Sequence, residues 1–196
     1  MFMELKTLLL TGGVGYIGVH ACFSLLENGY NVYIIDSLIN SSEFTVKNIF
    51  EYYETKIFPK KKNTLKFYKG DLKNMIDLDR IFSIASADSN PIEGVLHFAG
   101  KKSVYESMQK PSDYWDSNLI GTINLIKIME KYCCYNLVFS SSASVYDKYS
   151  KSPLKETTKI APISPYGNSK AAVETFLKDV FYSKRNFWRI CLLRYF

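Results

Sequence analysis

The chain has 196 residues, 47% of them hydrophobic, which is enough for one domain with its own core. Its net charge is +6, but the basic residues are lysines scattered among Tyr, Asn and Ile, with only Arg80, Arg185, Arg189 and Arg194 as arginines, so no nucleic-acid-binding face is implied. Cys22, Cys133, Cys134 and Cys191 form no Cys-x-x-Cys and have only His20 and His97 to help them, which excludes a metal-ligand spacing and fits a reducing, cytoplasmic setting.

In chain order, the first strand spans Thr7 to Leu10. The apolar opening segment holds Glu4 and Lys6 and runs into Thr11-Gly12-Gly13 without a small-residue cleavage site, so it reads as buried strand and not as a signal peptide. No apolar stretch approaches the ~18 residues of a membrane helix, and a soluble protein is expected. Next come glycines at Gly12, Gly15 and Gly18, where the strand turns into a helix. The first allows a tight turn, the second lets a pyrophosphate approach the backbone, and the third lets the helix pack on the sheet. The helix start then offers free N–H groups to an anion. Gly29 ends that helix.

The second strand, Asn31 to Asp36, closes on a carboxylate 18 residues past Gly18, where it can grip the ribose hydroxyls of NAD. Ser37-Leu38-Ile39-Asn40 has no base for a 2′-phosphate, which favours NAD over NADP. From about Tyr52 to Thr64 a surface insertion is expected, with Lys60, Lys61 and Lys62 solvated. A third strand, Lys66 to Lys69, leads to Gly70-Asp71. Asp71 either holds an adenine or caps a helix beginning near Lys73.

The fourth strand covers Gly94 to Phe98, with His97 as a strand residue whose ring is satisfied. Pro111 suits a helix start. The fifth strand, Asn136 to Ser140, opens into Ser140-Ser141-Ser142-Ala143-Ser144-Val145-Tyr146, hydroxyls at the carboxyl end of a strand, where such sheets bind ligands. Pro165 starts a helix that places Tyr166 and Lys170 four residues apart on one face. A neighbouring ammonium stabilises a phenolate and makes it a usable base at neutral pH. The sixth strand is Ile190 to Arg194. Strand, helix, strand repeated in this way predicts an α/β fold, a doubly wound parallel sheet of the Rossmann type.

Further stretches can be added to these: His97-Phe98-Ala99-Gly100, Glu106-Ser107, Gln109-Lys110-Pro111, Ser164-Pro165-Tyr166-Gly167 and Leu192-Leu193-Arg194-Tyr195-Phe196. Together the motifs resemble the UDP-glucose 4-epimerase family, the sugar-nucleotide epimerase branch of the extended short-chain dehydrogenases. The resemblance spans essentially the whole chain. It implies tightly bound NAD, a UDP-sugar substrate and a role in galactose metabolism. Gly12, Gly15, Tyr16, Ile17, Gly18, Asp36, Asn40, Asp71, Leu72, Phe98, Ala99, Gly100, Lys102, Ser117, Asn118, Tyr166, Lys170 and Phe196 would line the cofactor site, with Lys101 as the alternative to Lys102. Ser142 would bind the sugar hydroxyl, Tyr166 would exchange its proton, and Lys170 would bond the nicotinamide ribose.

Departures from the family pattern fall at Lys101, where an apolar residue is expected, at Tyr105 and Asp147, where glycine is usual, and at Ser117. The family also continues beyond its sixth strand into a smaller carboxyl-terminal domain that holds the UDP. The resemblance therefore implies that residues 1–196 are the NAD-binding domain of a longer homodimeric enzyme, inactive alone and carrying an exposed apolar patch. Related 4,6-dehydratases and decarboxylases carry a carboxylic acid immediately before the Val-Tyr of the serine loop. Ser144 stands there, which favours simple epimerisation. A non-catalytic NAD-binding protein is the rival from another class, and retention of Ser142, Tyr166 and Lys170 together argues against it.

Overall fold

The computed structural model describes residues 6–195. Six parallel strands form one sheet: β1 (Thr7–Thr11), β2 (Asn31–Asp36), β3 (Leu65–Lys69), β4 (Ile92–His97), β5 (Asn136–Ser142) and β6 (Arg189–Tyr195). Their order across the sheet is β3-β2-β1-β4-β5-β6. Every neighbouring pair is parallel, as in Leu10 beside Ile34 and Leu96. The expected fold class is the observed one, and each expected strand lies at its place, longer by one or two residues except β2 and with Phe98 just past the end of β4.

The helices are α1 (Tyr16–Glu27), α2 (Glu43–Tyr52), α3 (Phe58–Lys61), α4 (Met75–Ala87), α5 (Val104–Gln109), α6 (Pro111–Tyr114), α7 (Gly121–Lys131) and α8 (Pro165–Ser183). Their sequences explain their ends. Ser42, Asn74, Ser103 and Ser164 each accept a hydrogen bond from a first-turn N–H, while Pro111 and Pro165 occupy first-turn positions, where a missing N–H costs nothing. Gly29, with φ at +84°, follows α1 in the left-handed conformation that stops a helix. Two π-helical segments, Tyr53–Ile57 and Trp115–Ile120, join α2 to α3 and α6 to α7.

The first of these corrects an expectation. Tyr52 to Thr64 is no surface insertion but a helical continuation, and Tyr53 and Ile57 are buried with Ile49 against Leu10, Val32 and Ile34. Lys60, Lys61 and Lys62 do point to solvent. A second correction concerns Asp71: the cap of α4 is Asn74, whose side chain accepts from the Ile76 N–H at 3.0 Å, while Asp71 closes a turn on the Lys73 N–H at 2.9 Å.

Alternation along the strands divides the core in two. On one face Leu9, Tyr33, Val95, Leu137 and Phe139 meet α4, α7 and α8 through Leu78, Ile81, Phe82, Met129, Val173 and Leu177. On the other face Leu10, Val32 and Ile34 meet α1 and α2 through Cys22, Leu26 and Ile49. This second face stays open toward β6, where Cys191 is exposed and an apolar groove of about 800 Å³ includes Leu8, Leu96, Val138 and Cys191 in its lining. We expect Phe82→Ala, which empties a fully packed position, to lower unfolding free energy by ~3–5 kcal/mol in urea denaturation.

Candidate active site

The strand order reverses between β1 and β4, and a cleft opens at the carboxyl ends of the strands there, the place where open α/β sheets bind ligands. Gly12, at φ +66°, crosses this point so closely that a Cβ on it would sit 2.6 Å from the Ala99 nitrogen. A Cβ on Gly18 would lie 2.5 Å from the Gly12 carbonyl oxygen. Neither position tolerates a side chain without moving backbone. The turn therefore stays tight, and α1 follows Gly15 at its N-cap with no side-chain cap and no acidic residue in its first turn. Its orphan N–H groups and the positive end of its dipole are left for an anion.

Asp36 stands beside that turn. One carboxylate oxygen accepts from the Val14 N–H at 3.1 Å, and the other accepts from the Leu38 N–H at 2.9 Å and the Ser41 hydroxyl at 3.0 Å. The carboxylate thus ties the glycine turn to the segment after β2 and remains at the cleft. That cleft, about 980 Å³, is lined by Gly12, Gly15, Tyr16, Ile17, Gly18, Asp36, Asn40, Asp71, Leu72, Phe98, Ala99, Gly100, Lys101, Lys102, Ser117, Ser142, Tyr166 and Lys170. Nearly every candidate residue is brought together in it. Ser41, Thr45 and Tyr195 join them without having been expected.

Two candidates behave differently. Asn118 is buried behind the lining, where its amide accepts from the Lys101 N–H at 2.8 Å and donates to the Lys101 carbonyl and Ser169 hydroxyl at 3.0 Å. It shapes the loop after β4 and does not line the cleft. Phe196 lies outside the described residues. The two lysines of the cleft differ in their pairing. Lys101 is bound to Asp113 at 3.1 Å and Glu106 at 3.2 Å, which hold its ammonium charged above the ordinary range, whereas Lys102 is exposed at the cleft with no ion pair among the described residues. Tyr105 and Asp147 need no left-handed backbone, since the positive-φ residues other than glycine are Leu38, Lys62, Ser89 and Cys133.

The hydroxyl-bearing end of the cleft is built by β5 and α8. Ser142 ends its strand and accepts from the Ser144 N–H at 3.1 Å. Ser164 accepts from the Gly167 N–H at 3.1 Å and so fixes where α8 starts, which places Tyr166 and Lys170 one turn apart. Tyr166 is 9% exposed and packs edge-on against Tyr114. Lys170 is 5% exposed, donates to the Ser140 carbonyl at 2.8 Å and lies over the Phe139 ring. Burial pushes its ammonium down to about 8.

Glu174, one turn further, escaped the sequence reading although its spacing from Tyr166 and Lys170 was visible. It is 1% exposed, and its carboxylate receives Arg194 and Ser141. Burial opposes its ionisation, but those two hydrogen bonds together with the positive charges of Arg194 and Lys178 outweigh burial and hold the carboxyl below its usual range. His97 is satisfied as expected, its ring nitrogens meeting the Thr11 hydroxyl at 2.6 Å and the Thr122 hydroxyl at 2.9 Å.

Comparison with known proteins adds four findings. The family model described as GDP-mannose 4,6 dehydratase matches residues 9–196. UDP-glucose 4-epimerase 1 from Oryza sativa subsp. japonica is 43% identical over 192 residues, which are 98% of this chain and 51% of the relative. Among solved structures, UDP-glucose 4-epimerase from Bifidobacterium longum in complex with NAD+ and UDP superimposes with a TM-score of 0.85 at 37% identity, over 97% of this chain and 53% of that one. The corresponding enzyme from Stenotrophomonas maltophila, with bound NAD and formylated UDP-arabinopyranose, gives 0.84 at 36% identity, over 98% and 53%. The chain spans about half the length of the relatives it matches.

The His97 environment has a measurable consequence. Burial, then the nearby Lys170 charge, pushes its imidazole down to about 3. Between the unfolded value of ~6.5 and about 3, the unfolded chain binds a proton that the folded chain refuses, so this stability is complete above that window and lost as pH falls through it. We expect His97→Gln to flatten the fall of unfolding free energy between roughly pH 6.5 and 4 by about one proton, ~1.4 kcal/mol per pH unit. An unchanged slope in urea titrations would show that the folded protein protonates His97.

Proposed function

The chain belongs to the family whose model is described as GDP-mannose 4,6 dehydratase, and from that premise we propose that it is the NAD-binding part of a UDP-glucose 4-epimerase. The whole enzyme would interconvert UDP-glucose and UDP-galactose in galactose metabolism. One observation carries the reading. Ser142, Tyr166 and Lys170 share a single cleft with the glycine turn and Asp36.

An adenine dinucleotide suits this cleft. Gly12 and Gly18 leave backbone where a Cβ would clash, the uncapped start of α1 suits a diphosphate, and Asp36 suits ribose hydroxyls. Ser37 to Asn40 offer no cation for a 2′-phosphate. Lys170 stands ready to bond the nicotinamide ribose. NAD, when bound, supplies a hydride acceptor that can return the hydride to the other face of the sugar.

The chain's own residues handle the proton. Tyr166 takes it as a phenolate from the sugar C4 hydroxyl and returns it as a phenol after the sugar has turned, and the buried Lys170 ammonium stabilises the phenolate that exists before the first event and after the second. Ser142 holds the same hydroxyl in place. Ser144 sits in the 3-10 turn Ala143–Val145, the slot where a dehydratase needs an acid, and it can move no proton near neutrality. That supports epimerisation over dehydration. Among the described residues no helix is long and apolar enough to cross a membrane, and all four cysteines are free, which supports a cytoplasmic enzyme. Its homodimer would form through the helical run 111–131 and α8, where Trp115, Ile120 and Tyr182 are exposed.

Two measurements test the reading. Calorimetric titration of the chain should show NAD binding more tightly than NADP; equal or tighter NADP binding would remove Asp36 from its role. In protein of the relatives' full length, Tyr166→Phe should retain NAD but lose epimerisation by a factor on the order of 10² or more in a coupled UDP-glucose assay. Turnover near the parent rate would mean that another group is the base.

A further inference from the structure

Glu174 follows Lys170 by four residues on α8, so the two side chains share a face of the helix, and both are almost out of water. A buried carboxylate and ammonium at that spacing are natural ion-pair partners. They are not partners here. Lys170 donates to the Ser140 carbonyl, while both oxygens of Glu174 go to Arg194 on β6. Arg194 Nε donates to Oε1 at 2.9 Å and Nη2 to Oε2 at 2.6 Å, the two-pronged geometry that only a guanidinium provides. Ser141 adds a hydrogen bond to Oε1 at 2.5 Å. Arg194 is itself seated, its guanidinium 5.0 Å over the Tyr146 ring and Nη1 donating to the Tyr146 hydroxyl at 3.0 Å.

We infer that Arg194 is a positioning residue that claims Glu174 and thereby leaves the Lys170 ammonium free for the cleft and the Tyr166 phenol. The inference rests on the reading of Tyr166 and Lys170 as the proton-handling pair. The groups around Lys170 are Tyr166 on its own helix, the Ser140 carbonyl and Phe139 ring of β5, neutral His97 of β4, and Gly100 with the Asn118 amide behind it. Glu174 faces Arg194, Ser141 and, one turn on, the exposed Lys178. None of the other groups named around Lys170 is a carboxylate, and Glu174, four residues on, is the carboxylate that α8 sets on the same helix face.

The test is an NMR titration of lysine side-chain resonances in the 196-residue chain without cofactor. The Lys170 midpoint is expected at about 8 in the parent. In Arg194→Met it should rise by about one unit or more as Glu174 turns to Lys170, and the added change Glu174→Gln should bring it back. An unchanged midpoint in folded Arg194→Met overturns the inference. If that variant does not fold, Glu174→Gln alone decides, since it removes the charge while retaining an amide that can bond Arg194 and Ser141. The unneutralised guanidinium should then lower the Lys170 midpoint, and no change would equally overturn the inference. With neither cofactor nor sugar present, the outcome is separate from whether the full-length enzyme epimerises.

Discussion

Keeping a lysine charged and nearly dry is the constraint on which the catalytic end of this molecule depends. Burial works against the Lys170 ammonium, so everything next to it must favour a positive charge or at least not add to it. The Ser140 carbonyl accepts from it, the Phe139 ring presents its face, and His97 is too buried to become a second cation. These partners come from β4, β5 and α8, and parallel pairing of β4 with β5, with α8 packed across β5, brings them within reach.

The two ends of the cleft are made differently. At the glycine turn the recognition surface is backbone: a strand end, a helix start and the absence of two Cβ atoms. Such a surface costs little to hold, because the sheet hydrogen bonds and the packing of α1 already position it. At the serine and tyrosine end the surface is side chains, and each polar group there is held by another. Ser164 sets the start of α8, Asn118 clamps the loop at Lys101, and Arg194 neutralises Glu174. Most of these supports lie behind the lining of the cleft.

Much of this was legible along the chain, because the signals were local. The glycine spacing, the carboxylate closing β2, the hydroxyls closing β5 and the four-residue step from Tyr166 to Lys170 are each set by a few neighbouring residues obeying strand or helix geometry. Tyr52 to Thr64 was misread for a matching reason. Its lysines and Pro59 signal a loop, whereas Tyr53 and Ile57 are recruited into the core by contacts with β1 and β2, remote in sequence. Asp71 and Asn74 compete for the same cap, and only the backbone after β3 shows that Asn74 wins it.

The sequence by itself determined the alternation of elements, and hence a parallel sheet, and it determined which residue types meet at the crevice, since period and turn chemistry are properties of short segments. Tertiary structure alone decided who pairs with whom. Lys101 binds Asp113 and Glu106 while Lys102 stays at the cleft, Asn118 serves the loop, and Glu174 goes to Arg194 instead of Lys170. The reason is distance. A carboxylate one helical turn from a lysine is drawn away only because β6 lies beside β5 and sets a guanidinium against it, and nothing within twenty residues of Lys170 announces that neighbour.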